Sequence, residues 1–245
     1  MLKSLWKMDG NGMATAENSL ASFLAPGMRP SGVDLCLPEF SGSLSAPLQT
    51  RGNEGYGYPS SAFSNRDVRS AFHVQSLLSQ HFSDDSIRLQ SPGDFMSTRS
   101  KEWAPRVGIL FGSRSNEALS KESDLLQLER LVSFEFGAEW SIVGQDERRF
   151  SIADPSKLSR EDYEATTDYC VVARVRDDRG RPLFLIAGLG GRATEGGGKY
   201  LVDAWEKLHR RFESRDFAVV LAFAPPVNPD HSTEAASYVA ESLPT

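Results

Sequence analysis

The chain reads as an α/β protein, a Rossmann-like three-layer sandwich with a mixed, mainly parallel sheet. Three observations predict this. Apolar runs of strand length alternate with longer amphipathic stretches between about Arg66 and Pro225. Two glycine-marked turns, Gly112-Ser113-Arg114-Ser115-Asn116 and Gly188 to Gly198, each stand between such a run and a helix-forming stretch. Asp177-Asp178-Arg179-Gly180 joins two apolar runs with a hairpin turn too short for a parallel crossover, so the sheet must be mixed.

Along the chain, Asp67 is a candidate helix cap. Val68, Ala71, Phe72, Leu78 and Phe82 follow on one face of a predicted helix. Ser86 to Gln90 is a short strand, Pro92-Gly93 a turn, and Ser97 to Pro105 a charged connection. Val107 to Phe111 is apolar on both faces, as a buried parallel strand requires. After the first turn a helix is expected from about Glu117 to Val132, then a strand over Ser133 to Gly137. Trp140 to Val143 and Arg148 to Ala153 can pair as a hairpin, and Arg160 to Tyr163 can make a helical turn. Tyr169 to Val175 and Pro182 to Ala187 are strands. Leu201, Ala204, Trp205, Leu208 and Phe212 mark one buried face of a long helix, and Phe217 to Ala224 closes the domain as a strand.

The flanks read differently. Residues 1–65 are rich in Gly, Ser, Pro and Asn and show no sustained period, so they are expected to be a disordered or low-complexity segment. Ala14 to Leu24 is a possible short helix within it, stopped by Pro26-Gly27. Phe40, Tyr56 and Tyr58 offer anchors through which this segment would hold a protein partner. Residues 226–245 read as a loose tail, with a short helix possible at Thr233 to Leu243.

Composition narrows the function. The chain has 245 residues and a net charge of −6, which disfavours a nucleic-acid binder, because such proteins present a basic face to phosphates. Arg148-Arg149 and His209-Arg210-Arg211 read as solvated charge. The two cysteines, Cys36 and Cys170, form no disulfide or metal motif, and His73, His81, His209 and His231 lack metal-ligand spacing. No apolar run approaches the roughly 18 residues of a membrane span, and no leader is evident. The expectation is a cytoplasmic protein without a membrane partner.

The candidate site is the pair of turns. In open α/β sheets ligands bind beyond the carboxyl ends of the strands. In the first turn, Gly112 allows a sharp bend, Ser113 and Ser115 offer hydroxyls, Arg114 a guanidinium, and Asn116 caps the next helix or holds a ligand. The second turn carries six glycines in eleven residues, with Gly188, Gly190 and Gly191 permitting close approach of a ligand. Arg192, Thr194 and Glu195 supply the polar groups. Neither turn fits a named phosphate motif. Gly198-Lys199 is followed by Tyr200, not Ser or Thr, and Gly188-x-Gly190 lacks a partner acidic residue at the end of a second strand. The second turn reads equally as a flexible surface loop.

The order of Gly112-Ser113-Arg114-Ser115-Asn116, Asp168-Tyr169, Arg174, Ile186-Ala187-Gly188 and Thr194 resembles an uncharacterised group of bacterial Rossmann-like domains. The similarity covers about residues 66–224 and implies a fold, with no activity attached. The group often has Pro where this chain has Ser113.

The function expected from the residues is ligand sensing or regulation, with a nucleotide or other phosphorylated small molecule held between the turns. Two alternatives stay open: an enzyme cleaving a nucleotide or nucleotide-derived cofactor, with Glu195 or Glu117 as the carboxylate, and an interaction module built on the N-terminal segment.

Overall fold

The computed structural model describes residues 20–38, 40–41, 61–62, 64–113, 116, 118, 131–225 and 234–241. It is a three-layer α/β sandwich, as expected. The strands are β1 (Gly32–Cys36), β2 (Phe40–Ser41), β3 (Ser61–Ala62), β4 (Ile87–Gln90), β5 (Arg106–Phe111), β6 (Val132–Phe136), β7 (Glu139–Gly144), β8 (Arg149–Ala153), β9 (Asp168–Arg176), β10 (Pro182–Gly188), β11 (Phe217–Phe223) and β12 (Glu234–Glu241). The helices are a short turn at residues 20–24, then α1 (Asn65–Leu78), α2 (Pro92–Lys101), α3 (Arg160–Glu164) and α4 (Gly191–Phe212).

The main sheet has the order β12-β11-β9-β10-β5-β1-β4. β4, β1, β5 and β10 run parallel, while β9 is antiparallel to both β10 and β11. The Asp177–Gly180 turn makes the antiparallel pair that its length required. Alternation along each strand divides the core. Val33, Leu35, Ile109, Phe184, Ile186, Val219 and Leu221 face one side, where α1, α4 and the helix at 20–24 pack. Leu110, Leu183, Leu185, Val171 and Val220 face the other, covered by Phe95 of α2 and by Ile142 and Ile152 of the small sheet β6-β7-β8.

Several expectations are corrected. The segment 1–65 is not uniformly structureless: β1 lies inside the main sheet, between β4 and β5. Its apolar run is broken by Asp34, which hid it from pattern reading. Asp34 is buried because Arg88 (2.7 Å) and Arg106 (2.9 Å) neutralise it. The Phe40 anchor lies in the two-residue strand β2, whereas Tyr56 and Tyr58 lie outside the described residues.

The expected loose C-terminal tail contains β12, which pairs antiparallel with β11. Its alanines favour helix in isolation, but the open edge of β11 offers a full ladder of partners. Ser97 to Lys101, read as a connection, belongs to α2. There Pro92 occupies the first turn, where its missing N–H costs nothing, and Ser91 Oγ accepts the amide of Asp94 at 3.3 Å.

On α1 the N-cap is Ser64, whose Oγ accepts the Asp67 amide at 3.4 Å. The buried stripe is Asp67, Ser70, Ala71, Val74, Leu77 and Leu78, and this leaves Phe72 61% exposed, off the face assigned to it. The helix expected from Glu117 to Val132 lies almost wholly outside the described residues. At its end Val132 already belongs to β6.

The largest correction concerns the second turn. It ends at Gly190, and Gly191 to Gly198 form the first two turns of α4. Gly196 packs on Phe223, Gly197 on Cys170, and Gly198 on Ser70 of α1. A Cβ at 197 would stand 2.5 Å from Cys170 Sγ, and one at 198 only 2.8 Å from the Ser70 carbonyl. Three consecutive glycines thus let the helix lie unusually close to the sheet and to α1 at once. Glycine costs a helix about 1 kcal/mol per residue in propensity, and here close packing offsets that cost.

Candidate functional site

The two turns meet. β5 and β10 are adjacent and parallel with Phe111 opposite Ile186, so Gly112 and Gly188 leave the same carboxyl edge. Gly112, at φ +80°, continues the ladder by donating its amide to the Ile186 carbonyl at 3.0 Å. β1 ends on this edge too. Its chain connection leads to β4 on one flank, and the chain then returns to β5 on the other. This reversal of strand order is the place where open α/β sheets form a crevice.

In the first turn Asn116 is completely buried. Its Nδ2 donates to the Phe111 carbonyl at 2.9 Å and to the Cys36 carbonyl at 3.5 Å, while Oδ1 accepts the Ala118 amide at 3.1 Å. The Asn116 side chain therefore ties β1, β5 and the start of the next helix together. Ser113 is buried beside it and accepts the Asn116 amide on its carbonyl at 3.1 Å. Arg114, Ser115 and Glu117 lie outside the described residues.

The second turn is more heavily bonded. Asp168, the first residue of β9, is buried and reaches the N-terminus of α4. Its Oδ1 accepts the amides of Gly190 (3.0 Å) and Tyr169 (2.8 Å), and its Oδ2 accepts the amide of Ala193 (3.0 Å) and the Tyr163 hydroxyl (2.6 Å). The Arg192 amide donates to the Tyr163 oxygen at 3.1 Å. The Arg192 guanidinium lies over the Tyr163 ring, 5.3 Å from its centroid, and donates to the Glu164 and Thr166 carbonyls. Thr194 Oγ1 accepts the Gly188 amide at 3.2 Å. An internal carboxylate thus occupies the position at which a helix N-terminus would hold an external anion. Burial pushes the Asp168 carboxyl above its usual range, against the pull of the Tyr163 hydroxyl, the amides and the Arg192 charge. Burial, and then the Asp168 charge, raise the Tyr163 hydroxyl above its ordinary value.

The exposed positive charge at this edge comes from α1, and the exposed carboxylate Glu164 of α3, paired with Arg160, lies near enough to feel the Arg66 charge. Arg66 Nη1 lies 2.5 Å and Arg69 Nη1 3.7 Å from the carboxylate of Glu195. Both arginine side chains are about half exposed, at 51% and 55%, against 20% for Glu195. The aliphatic stem of Arg66 lies against Gly191, within 3.1 Å of where a Cβ would stand. Beneath them Asp67 is buried with Ser64 and Thr194 as its hydrogen-bonding partners, and burial raises its carboxyl to about 6.

Of the residues picked out by pattern, the structure places Gly112, Ser113 and Asn116 just after β5, and Gly188, Gly190, Gly191, Arg192, Thr194 and Glu195 at the end of the adjacent β10 and the start of α4. It turns Asn116, Arg192 and Thr194 inward, onto the protein's own backbone. Pattern reading missed Tyr163, Arg66 and Arg69, and it took Asp168 as a residue that caps a helix or closes a turn without naming the helix it caps. The one available signal was an acidic residue opening an otherwise apolar strand, at Asp168-Tyr169.

The fold and this edge define a three-layer α/β sandwich whose α4 N-terminus, at the carboxyl edge of the sheet, is capped by Asp168. No protein-family model, curated protein sequence or solved structure matches the chain. Among the described residues no group of His, Cys, Asp and Glu could hold a metal ion, and no helix is long and apolar enough to cross a membrane.

Proposed function

We propose that this is a ligand-sensing or regulatory α/β domain of the bacterial Rossmann-like kind that its motifs resemble. Its ligand is a nucleotide or other phosphorylated small molecule. The supporting observation is the juxtaposition of the two turns on one carboxyl edge, with Arg66 and Arg69 beside the second. The anionic group of the ligand binds those two guanidinium groups, which suit phosphate geometry. It does not bind the amides of Gly190, Arg192 and Ala193, which already have partners. Ser113 and the Gly112 backbone face the remainder of the ligand, and Glu195 holds the arginines in place until it arrives.

The test is thermal melting with a panel of nucleotides, nicotinamide dinucleotides and sugar phosphates. A ligand that binds only the folded state raises the melting temperature by linkage. A shift in the parent chain that disappears in the Arg66→Ala/Arg69→Ala double variant supports the reading. No shift with any member of the panel overturns it.

A further inference from the structure

A polar cleft lies at the amino edge of the sheet, opposite the two turns. It has a volume of about 790 Å3 and is bounded by Ser22, Arg29, Ser31, His81, Ser83 and Ser86. That volume is within the range of small-molecule sites, roughly 300–1,000 Å3. Its walls come from three separate parts of the chain. The helix at 20–24 and the segment leading into β1 form one side, the residues following α1 form the second, and the entry to β4 forms the third. Gly27, at φ +80°, turns the chain around the rim.

The walls are fixed. Arg106 donates through Nη2 to the Ser86 carbonyl at 2.8 Å and through Nη1 to the Ser31 carbonyl at 3.5 Å, pinning two sides of the cleft to each other. Arg174, buried in β9, donates to the Phe23 carbonyl at 2.6 Å and anchors the 20–24 helix of the first side to the sheet. The His81 ring stands edge-on to Trp205, 6.3 Å between centroids. Its Nδ1 is buried and has no hydrogen-bond partner among the described residues.

The chemistry of the lining is one-sided. Arg29 carries a positive charge, His81 an imidazole, and the serines hydroxyls, while no carboxylate is among the lining residues. Asp84 and Asp85 sit on the adjoining turn, exposed and outside the lining. We infer that this amino-edge cleft binds a small hydroxylated anion, of the sugar-phosphate class, with its anionic group on Arg29 and its hydroxyls on His81 and the serines. This site is separate from the carboxyl-edge site proposed above and does not depend on it.

The probes are ribose 5-phosphate and, as the uncharged control, ribose. They are titrated into the full chain while the imidazole resonances of His81 are followed by NMR, with assignment from a His81→Gln variant. Ribose 5-phosphate is expected to move the His81 signals saturably, and ribose to move them far less. Arg29 is exposed, so Arg29→Ala leaves the fold intact, and it is expected to weaken binding about tenfold, the effect of one charge-assisted contact. Arg66→Ala/Arg69→Ala is expected to leave the His81 titration unchanged. His81 signals that do not move at millimolar ribose 5-phosphate overturn the proposal. So does a titration that Arg29→Ala leaves as tight as before. A response abolished by the Arg66 and Arg69 changes instead assigns the anion to the carboxyl edge and removes the second site.

Discussion

Asp168 Oδ2 accepts the amide of Ala193 at 3.0 Å, so the first residue of β9 caps the helix that leaves β10. The cap is long-range: 25 residues separate the two partners. It replaces the local Ser, Thr or Asn that helices ordinarily use, since the N-cap position of α4 is Gly190 and makes no side-chain cap bond.

Asp168→Ala should therefore be costly. It strands the amides of Gly190 and Ala193 and the Tyr163 hydroxyl in a buried setting, at about 1–3 kcal/mol for each unsatisfied group that water cannot reach. A loss of about 3 kcal/mol or more in urea denaturation is expected. Tyr163→Phe, which removes one of the four donors, should cost about 1 kcal/mol. A loss below about 1 kcal/mol for Asp168→Ala would show that the cap is dispensable.

Asp67 sets a pH dependence. Its folded carboxyl is raised from 3.8 to about 6 by burial. The folded state holds the proton more tightly than the unfolded state, so the stability linked to this group is fully present below about 3.8. It declines as pH rises through about 6 and is then lost. Asp67→Asn keeps hydrogen-bonding capacity toward Ser64 and Thr194 without the buried charge. The variant should match the parent near pH 4 and exceed it near pH 7 by at most about 3 kcal/mol. Denaturation curves at the two pH values check this, and a difference that is equal at both would exclude the titration of Asp67 as its source.

The glycines of α4 should invert the usual helix rule. Gly→Ala within a helix ordinarily stabilises by about 0.5–1 kcal/mol. At Gly198 the new methyl meets the backbone of Ser70 at 2.8 Å from its carbonyl, and at Gly197 it meets Cys170 Sγ at 2.5 Å. Either substitution is expected to destabilise by about 1–3 kcal/mol, the usual range for overpacking. A stabilised Gly198→Ala variant would mean that α1 and α4 separate freely.

β1 should prove indispensable although it lies in the least regular part of the sequence. Asp34→Ala leaves Arg106, only 12% of whose side chain is exposed, without its counter-charge, while Arg88 keeps Glu102 at 3.0 Å. The expected cost is about 3 kcal/mol, at the lower end for breaking a buried pair. A chain beginning at residue 39 lacks β1, and with it the strand between β4 and β5, so it should show no cooperative unfolding transition. Cooperative unfolding of that truncated chain would place β1 outside the folding unit.

Reading the sequence succeeded where the signal was local. β5, β9, β10 and β11 are apolar runs bounded by turn residues, and the Asp177–Gly180 hairpin is written in four consecutive residues. α4 was recognisable from Leu201, Trp205, Leu208 and Phe212, all of which are buried. Reading failed where a residue's partner is remote. Asp34 disguised a central strand because Arg88 and Arg106 lie 54 and 72 residues away. The alanines of β12 suggested helix, and the vacant edge of β11 decided for strand.

The glycine-marked turns show the same division. By itself, the sequence determined that Gly112 and Gly188 each close a buried strand and that a helix follows the second, because apolar runs and glycine act over a few positions. It also determined that a site, if built from both turns, must lie where they meet. Only the tertiary structure decided that they do share an edge, that Gly196 to Gly198 are packing contacts within a helix, and that Asp168 fills the anion position at Gly190. The reason is physical: the hydrogen-bonding capacity of a helix N-terminus is local, but which acceptor satisfies it depends on what the sheet topology brings within 3 Å.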